Sequence, residues 1–251
     1  MKILVTGYKG FIGSFLYNHL KYECGYNEWV DGLDMPDDIG NFKGPSKNHY
    51  DIVIHLAAFA ALRDSIENPE KFWKNNVEKS RPIFDYCREN NVRLLYASSA
   101  GVYSWWQNPY AVTKKANESM APPNSVGMRF FNVWAEKESR KDMLYRMLQE
   151  DNAKYLTLHK RDWIHVKDVV KAITLLMKSK YTGTIDIGTG KEVGVIELAS
   201  AMGKHDLPIR KMTPNEPDTL CADTTELEKL GWSSTINIMD YVKDHADPKL
   251  E

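Results

Sequence analysis

The sequence predicts an α/β fold, a doubly wound parallel sheet with a smaller C-terminal lobe. Three observations predict it. Short β-branched runs alternate with helix-spaced segments from the first residues onward. The run Asp51–Leu56 is almost unbroken apolar, the mark of a strand covered on both faces. The alternation then loosens in a second half rich in proline breaks.

The elements follow in chain order. Ile3–Thr6 reads as a β-branched strand ending at Gly7, and Phe11, Ile12, Phe15, Leu16 and Leu20 carry helical spacing behind it. A second strand fits Glu28–Leu33 and a third fits Asp51–Leu56. Pro69, after Asn68, suits a first helical turn and opens a long helical pattern to Asn90. Val92–Ser98 is a further buried strand. Pro122-Pro123 breaks a helix, Gly127–Phe131 reads as a strand and Lys141–Glu150 as a helix. Trp163–Met177 carries a helical stripe, Thr184–Ile187 a strand and Val193–Met202 a helix. Pro208, Pro214 and Pro217 mark an irregular stretch before Leu227–Leu230. No internal repeat is visible. The expected division is residues 1–133, with 160–180 returning to them, and a small lobe of 134–159 and 181–251.

Composition narrows the partners. Hydrophobic residues make up 43% and charged residues 27%, ordinary for a globular chain. Thirty-three basic against thirty-four acidic side chains leave a formal charge of −1, so neither nucleic acid nor an anionic membrane is expected as partner. Cys24, Cys87 and Cys221 are scattered and odd in number, which suggests idle thiols rather than a disulfide framework or a metal site. The chain enters a strand pattern at once, and no apolar run approaches the ~18 residues of a membrane span. A cytoplasmic protein is expected.

Gly7-Tyr8-Lys9-Gly10-Phe11-Ile12-Gly13 lies between the first strand and the first helix. Glycine lets the chain turn tightly there, approach a pyrophosphate without a Cβ, and pack helix against strand. The helix N-terminus, at Phe11 and Ile12, offers N–H groups and a positive dipole end to phosphate. The spacing is GxxGxxG. Asp34 follows Gly13 by twenty-one residues, at the end of the second strand. A carboxylate there accepts bonds from both ribose hydroxyls and repels a 2′-phosphate, so the unit reads as a Rossmann βαβ holding NAD rather than NADP. Asp38 and Ile39 are expected, on a weaker signal, to reach the adenine.

Tyr110 and Lys114 form a YxxxK pair whose i, i+4 spacing sets both on one helix face. An ammonium beside a phenol stabilises phenolate, which lets Tyr110 act as acid and base near neutral pH. Ser99, eleven residues earlier at a strand end, can bond the same substrate oxygen. Serine, tyrosine and lysine together suit alcohol–ketone hydride chemistry.

With these residues in place, the chain resembles the extended short-chain dehydrogenase/reductase family, specifically its NAD-dependent nucleotide-sugar epimerases and dehydratases. Val5-Thr6-Gly7 through Gly13 is similar to VTGxxGxIG, and Val53-Ile54-His55-Leu56-Ala57-Ala58 to VxHLAA. Asp64–Pro69 and Asn75-Asn76-Val77 continue the match, as does Tyr96-Ala97-Ser98-Ser99-Ala100-Gly101-Val102-Tyr103 to YASSxxVYG. Arg129-Phe130-Phe131-Asn132-Val133 resembles RxFNVYG, and Arg161-Asp162-Trp163-Ile164-His165-Val166 resembles RDFIHV. Ile187–Gly190, Ala222-Asp223-Thr224 and Leu230-Gly231-Trp232 match later landmarks. The resemblance implies catalysis by Ser99, Tyr110 and Lys114. It implies cofactor contacts from Leu56, Ala57, Ala58 and Asn75 besides the glycine loop, and substrate contacts from Ala60, Ser99, Asn132 and Arg161, the last on a diphosphate. It also implies a homodimer, with hydride passing from a nucleotide sugar to NAD and back through a transient keto-sugar.

Departures from the family pattern narrow the reading. Ala100-Gly101 stands where sugar 4,6-dehydratases carry Asp-Glu, which argues against that elimination. The loop Tyr103–Tyr110 is short, Trp134-Ala135 replaces Tyr-Gly at the floor of the nucleotide pocket, and the family's second diphosphate arginine has no clear counterpart, Arg210 being the candidate substitute. The segment Asn75–Cys87 and Lys141, near a second-base lysine, are similar to heptose-nucleotide 6-epimerases. Leu62–Ser65 and Arg140–Met143 are similar to uronic-acid 4-epimerases. His55 and His165 read as core or cleft histidines. Trp105-Trp106 fits a sugar or base stack, a plug in the trimmed rim, or a dimer contact. Lys167 and Lys171 read as a solvated helix face. The leading reading is a UDP-sugar 4-epimerase-like enzyme. The competitors are a nucleotide-sugar reductase and a catalytically silent, cofactor-sensing or RNA-associated scaffold.

Overall fold

The structure, a computed structural model, describes residues 1–26, 30–34, 42, 44, 50–137, 139–141, 143–211 and 215–245. Strands run β1 (Ile3–Thr6), β2 (Val30–Leu33), β3 (Ile52–His55), β4 (Arg93–Ser99), β5 (Ser125–Phe130) and β6 (Asn132–Trp134). They continue as β7 (Leu156–Thr157), β8 (Lys160–His165), β9 (Gly183–Ile187), β10 (Glu192–Gly194), β11 (Ile209–Arg210) and β12 (Thr219–Leu220). The first five helices are α1 (Phe11–Asn18), α2 (Leu62–Glu67), α3 (Pro69–Trp73), α4 (Arg81–Glu89) and α5 (Pro109–Met120). The others are α6 (Leu144–Gln149), α7 (Val166–Lys178), α8 (Val195–Ala201), α9 (Thr225–Lys229) and α10 (Ile238–Asp244).

Two compact units emerge: Met1–Arg129 with Val170–Ile185, and Phe130–Val169 with the chain from Asp186 onward. The divide thus falls four residues before the one read from sequence, and the returning segment is 170–185 instead of 160–180.

The first unit is built on a six-stranded sheet of order β2-β1-β3-β4-β5-β9. β1 pairs parallel with β2 and β3, and β3 pairs parallel with β4. Leu4, Val53 and Leu94 are register partners on one face, where with Tyr96 they pack on Ile83, Phe84 and Cys87 of α4. Side chains alternate along a strand, so Ile3, Val5, Ile52, Ile54 and Leu95 must face the other way, and all are buried as well. A sheet covered on both faces accounts for the unbroken apolar run that announced β3. Each such side chain contributes about 1.5–3 kcal/mol by leaving water.

The pattern Pro69–Asn90 is not one helix. α3 gives way to a π-helical turn, Lys74–Glu78, closed by Lys79 N donating to Lys74 O at 3.1 Å, and α4 starts afresh at Arg81. Pro82 accounts for the restart. Without an N–H, and with a ring that crowds the preceding turn, it fits only the opening of a helix. The widened turn brings the Asn76 side chain inside, where it is fully buried.

The second unit centres on β8. Its first half lies between antiparallel β10 and parallel β12, and its second half pairs with β6 in the register Asn132↔Trp163 to Trp134↔His165. Trp163, Ile164 and His165, read as helical from sequence, are therefore strand. Aromatic and β-branched side chains favour that setting, and the helix begins at Val166. Trp134, Tyr145, Leu148, Trp163, Leu198 and Val242 share one core. The predicted helix Lys141–Glu150 is shorter, because α6 begins at Leu144.

Candidate active site

Thr6 ends β1, and Gly7 turns the chain with a φ of +72°, its N–H donating to Leu33 O at 2.8 Å. A Cβ on Gly7 would sit 2.7 Å from Ala57 N, and one on Gly13 would sit 2.0 Å from Gly7 O. These two positions admit no side chain, so the loop lies flat against the segment that follows β3. Gly10 is the N-cap of α1 and makes no side-chain cap bond. The first-turn amides of α1 are left to other partners. A pocket of about 210 Å³ is lined by Gly7, Gly10, Asp34, His55, Leu56, Ala57, Ala58, Phe59, Asn75 and Lys79. Seven residues read from sequence as cofactor contacts thus meet in one place: Gly7, Gly10, Asp34, Leu56, Ala57, Ala58 and Asn75. Gly13 is buried, while Phe11 and Ile12 open α1 half-buried. Asp38 and Ile39 lie outside the described residues.

The same unit holds Ser99, Tyr110 and Lys114. Ser99 ends β4 and caps the 3-10 segment Ala100–Gln107, its Oγ accepting from Gly101 N at 3.1 Å. Asn108 Oδ1 accepts from Ala111 N at 2.8 Å and so starts α5, with Pro109 in the first turn. Tyr110 N donates to Ser65 Oγ at 3.1 Å, and its ring meets Phe72 edge-on at 6.5 Å. One turn on, Lys114 is buried with Nζ donating to Ala97 O at 2.8 Å and lying 5.8 Å from the centre of the Tyr110 ring. Burial brings the ammonium pKa down to about 7. Behind them, Glu118 accepts from Ser98 Oγ at 2.8 Å and pairs with both Arg129 Nε at 2.8 Å and Arg129 Nη2 at 3.0 Å. That clamp ties α5 to the ends of β4 and β5.

Substrate residues read from sequence are distributed differently. Ala60 is exposed in the first unit, and Asn132 opens β6 half-buried in the second. Arg161 is buried in the second unit. Its guanidinium donates to Glu216 Oε2 at 3.0 Å, Lys160 O at 2.9 Å and Asp218 O at 3.2 Å. Lys141 is exposed in a turn, and Arg210 lies over the Tyr155 ring at 4.5 Å. Trp134, read as a pocket floor, is instead fully buried among the rings of Tyr145, His165 and Tyr241 at 4.9, 4.7 and 5.1 Å. Trp105 and Trp106 are exposed and meet edge-on at 6.2 Å.

Phe59 was not singled out from sequence, and Asn76 entered only within the motif Asn75-Asn76-Val77 without a role of its own; their roles are non-local. Asn76 Oδ1 accepts from Phe59 N at 2.8 Å, and Asn76 Nδ2 donates to Phe59 O at 2.9 Å, a two-point clamp on the pocket wall. Among the described residues no group of three or more His, Cys, Asp or Glu could hold a metal ion. Among the same residues no helix is long and apolar enough to cross a membrane.

The model of the NAD dependent epimerase/dehydratase family matches residues 3–188. Protein CapI of Staphylococcus aureus is 32% identical over 232 residues, 71% of this chain and 70% of that protein. An uncharacterized UDP-glucose epimerase of Bacillus subtilis, YtcB, is 29% identical over 296 residues, 92% of each. Among solved structures, TunA, an NAD dependent NDP-hexosamine 5,6-dehydratase involved in tunicamycin biosynthesis, superposes with a TM-score of 0.82 at 22% identity. That match covers 96% of this chain and 95% of TunA, and it carries the fold alone.

Proposed function

Because the chain belongs to the NAD dependent epimerase/dehydratase family, we propose that it is a nucleotide-sugar epimerase of the UDP-sugar 4-epimerase kind. The observation that carries this reading is Lys114, buried one helical turn behind Tyr110 and next to the ring, in the unit that also holds the glycine-loop pocket. Burying that amine costs folding free energy, and its place suits a phenol that must give up and regain a proton.

The pocket residues fit NAD. Gly7 and Gly13 keep the loop free of Cβ atoms where backbone meets backbone, and the first turn of α1 presents amides to a pyrophosphate. Asp34, on the same wall, is placed for ribose hydroxyls and against a 2′-phosphate. When bound, NAD supplies the acceptor that takes a hydride from a sugar carbon and returns it to the opposite face. The chain does the rest. Ser99 Oγ bonds the substrate hydroxyl and orients it toward Tyr110. Tyr110 takes the hydroxyl proton while Lys114 offsets the phenolate charge, and Tyr110 gives the proton back when the keto-sugar is reduced. The site offers no acid–base pair for eliminating water beside Ser99: Ala100 is buried, and a Cβ on Gly101 would meet Ala111 Cβ and Ser99 Oγ at 3.4 Å. That supports epimerisation over 4,6-dehydration. In the second unit Arg161 and Asn132 are assigned to the substrate phosphates, with the nucleotide exchanging for Glu216 on the guanidinium.

A panel of nucleotide sugars with product analysis tests this reading. Tyr110→Phe is expected to lower turnover of the accepted sugar by about 10²–10⁴-fold with binding little changed. Unchanged turnover would remove Tyr110 from the mechanism. A requirement for added NADPH would replace the epimerase with a reductase.

A further inference from the structure

The pocket wall after β3 is held by polar side chains that the steps above do not use. His55, at the end of β3, is buried with both ring nitrogens bonded. Nδ1 lies 2.7 Å from Thr6 Oγ1, and Nε2 lies 2.8 Å from Ser80 Oγ. Proton counting fixes the direction of each bond. Ser80 has one hydroxyl proton, and it goes to the Asn76 carbonyl at 2.8 Å, which can only accept. Ser80 Oγ therefore accepts from His55, so Nε2 carries the hydrogen. Burial, helped by the nearby Lys114 charge, brings the imidazole pKa down to about 3, so the ring is neutral. Nδ1 then accepts from the Thr6 hydroxyl, and Thr6 Oγ1 is left to accept from Ala57 N at 3.4 Å. One directional run thus joins the Ala57 amide, Thr6, His55, Ser80 and the Asn76 carbonyl. Asn76 closes it from the far side through its clamp on Phe59.

The ends of this run are the wall itself. Ala57 and Phe59 line the pocket, and Ala57 lies so close to Gly7 that a Cβ there would have no room. A shift of Ala57 is therefore a shift of the glycine loop.

We propose that His55 is a positioning residue for the cofactor: in its Nε2–H form it spans Thr6 and Ser80, holds Ala57–Phe59 against the glycine loop, and thereby sets how tightly NAD is retained. This rests on the proposed NAD pocket. No other side chain offers an acceptor on one edge and a donor on the other across a rigid ring. Asparagine can keep the acceptor toward Thr6, and glutamine can keep the donor toward Ser80.

Two measurements test it on the full chain. Nitrogen-15 spectra of the ring should show Nε2 protonated and Nδ1 bare from pH 5 to 8; an Nδ1–H form would overturn the assignment. NAD titration of cofactor-stripped protein should show His55→Phe weakened about tenfold or more, the loss of one or two hydrogen bonds, with His55→Asn and His55→Gln between it and the wild type. A merely structural role would lower the melting temperature and leave the NAD affinity of the folded protein unchanged, and that result would overturn the proposal. If His55→Phe does not fold, the Asn and Gln variants decide, and wild-type affinity in both would overturn it. A wild-type chain that binds no NAD would overturn the pocket assignment and this role together, whereas NAD binding indifferent to all three variants would overturn this role alone.

Discussion

Lys114 keeps an amine where water does not reach, bonded through Nζ to Ala97 O. Burial lowers its pKa from 10.5 in the unfolded chain to about 7. Between those values the unfolded chain holds a proton that the folded chain has released. The folding penalty is therefore complete below about pH 7, shrinks as pH rises, and is gone above 10.5. Lys114→Met removes the amine and keeps the bulk. Its melting temperature should gain on the wild type more at pH 6 than at pH 9, while turnover falls by about 10²-fold or more. Equal gains at both pH values would sink the burial argument, and full turnover would sink the catalytic one. The Tyr110–Lys114 pair was legible because its spacing is local, one turn of one helix. The commitment of Arg161 to Glu216 was not, because the partner lies 55 residues on and the sequence carries no signal across that distance. Trp134 misled for a related reason. It occupies a family landmark, but three rings from separate segments close over it and make it core.

At the scale of elements, the β1–loop–α1 unit was legible almost entirely, since Gly7 and Gly13 answer to contacts that no other residue allows. Gly10 and Gly13 do different work, and substitution separates them. A Cβ at Gly13 would meet backbone, Gly7 O at 2.0 Å, which cannot swing aside. Gly13→Ala should therefore cost about 1–3 kcal/mol as overpacking, a drop of roughly 2–12 °C for a chain of this size. A Cβ at Gly10 meets only Gly7 O at 3.1 Å and lies on a residue that lines the pocket. Gly10→Ala should cost less stability than Gly13→Ala, since the contact is longer by about an ångström, and should weaken NAD as well. Thermal melts and NAD titration of the two variants check this. A larger loss of stability at Gly10 than at Gly13 would contradict the packing argument. Other elements were less legible where two rules competed. Helical periodicity runs through Pro69–Asn90, but Pro82 and the buried Asn76 split it into α3, a π turn and α4. An apolar stripe runs from Trp163, but pairing with β6 claims its first three residues.

At the scale of the whole chain, the fold class was legible from alternation alone, because strands buried on both faces and helices between them leave few other architectures. The order β2-β1-β3 was not, since it depends on which strand edge each crossover reaches. That order has a functional consequence. Asp34 follows β2, the glycine loop follows β1 and Leu56–Phe59 follow β3, so three neighbouring strands deliver their carboxyl ends to one pocket. Asn75, within the π turn, and Lys79, just after it, line the same pocket. Segments spread from Gly7 to Lys79 meet there only in the folded chain, so a ligand that binds them binds the native state and has no counterpart site in the unfolded one. NAD should therefore raise the stability of cofactor-stripped protein by about 2.7 kcal/mol at a hundredfold excess over its Kd, roughly 5–10 °C in melting temperature. Asp34 adds a sign to this: its carboxylate opposes a 2′-phosphate, so NADP at the same concentration should give a clearly smaller shift. Melting curves with matched NAD and NADP check both. Equal shifts would take the discriminating role from Asp34, and no shift with NAD would remove the pocket assignment on which the proposed chemistry depends.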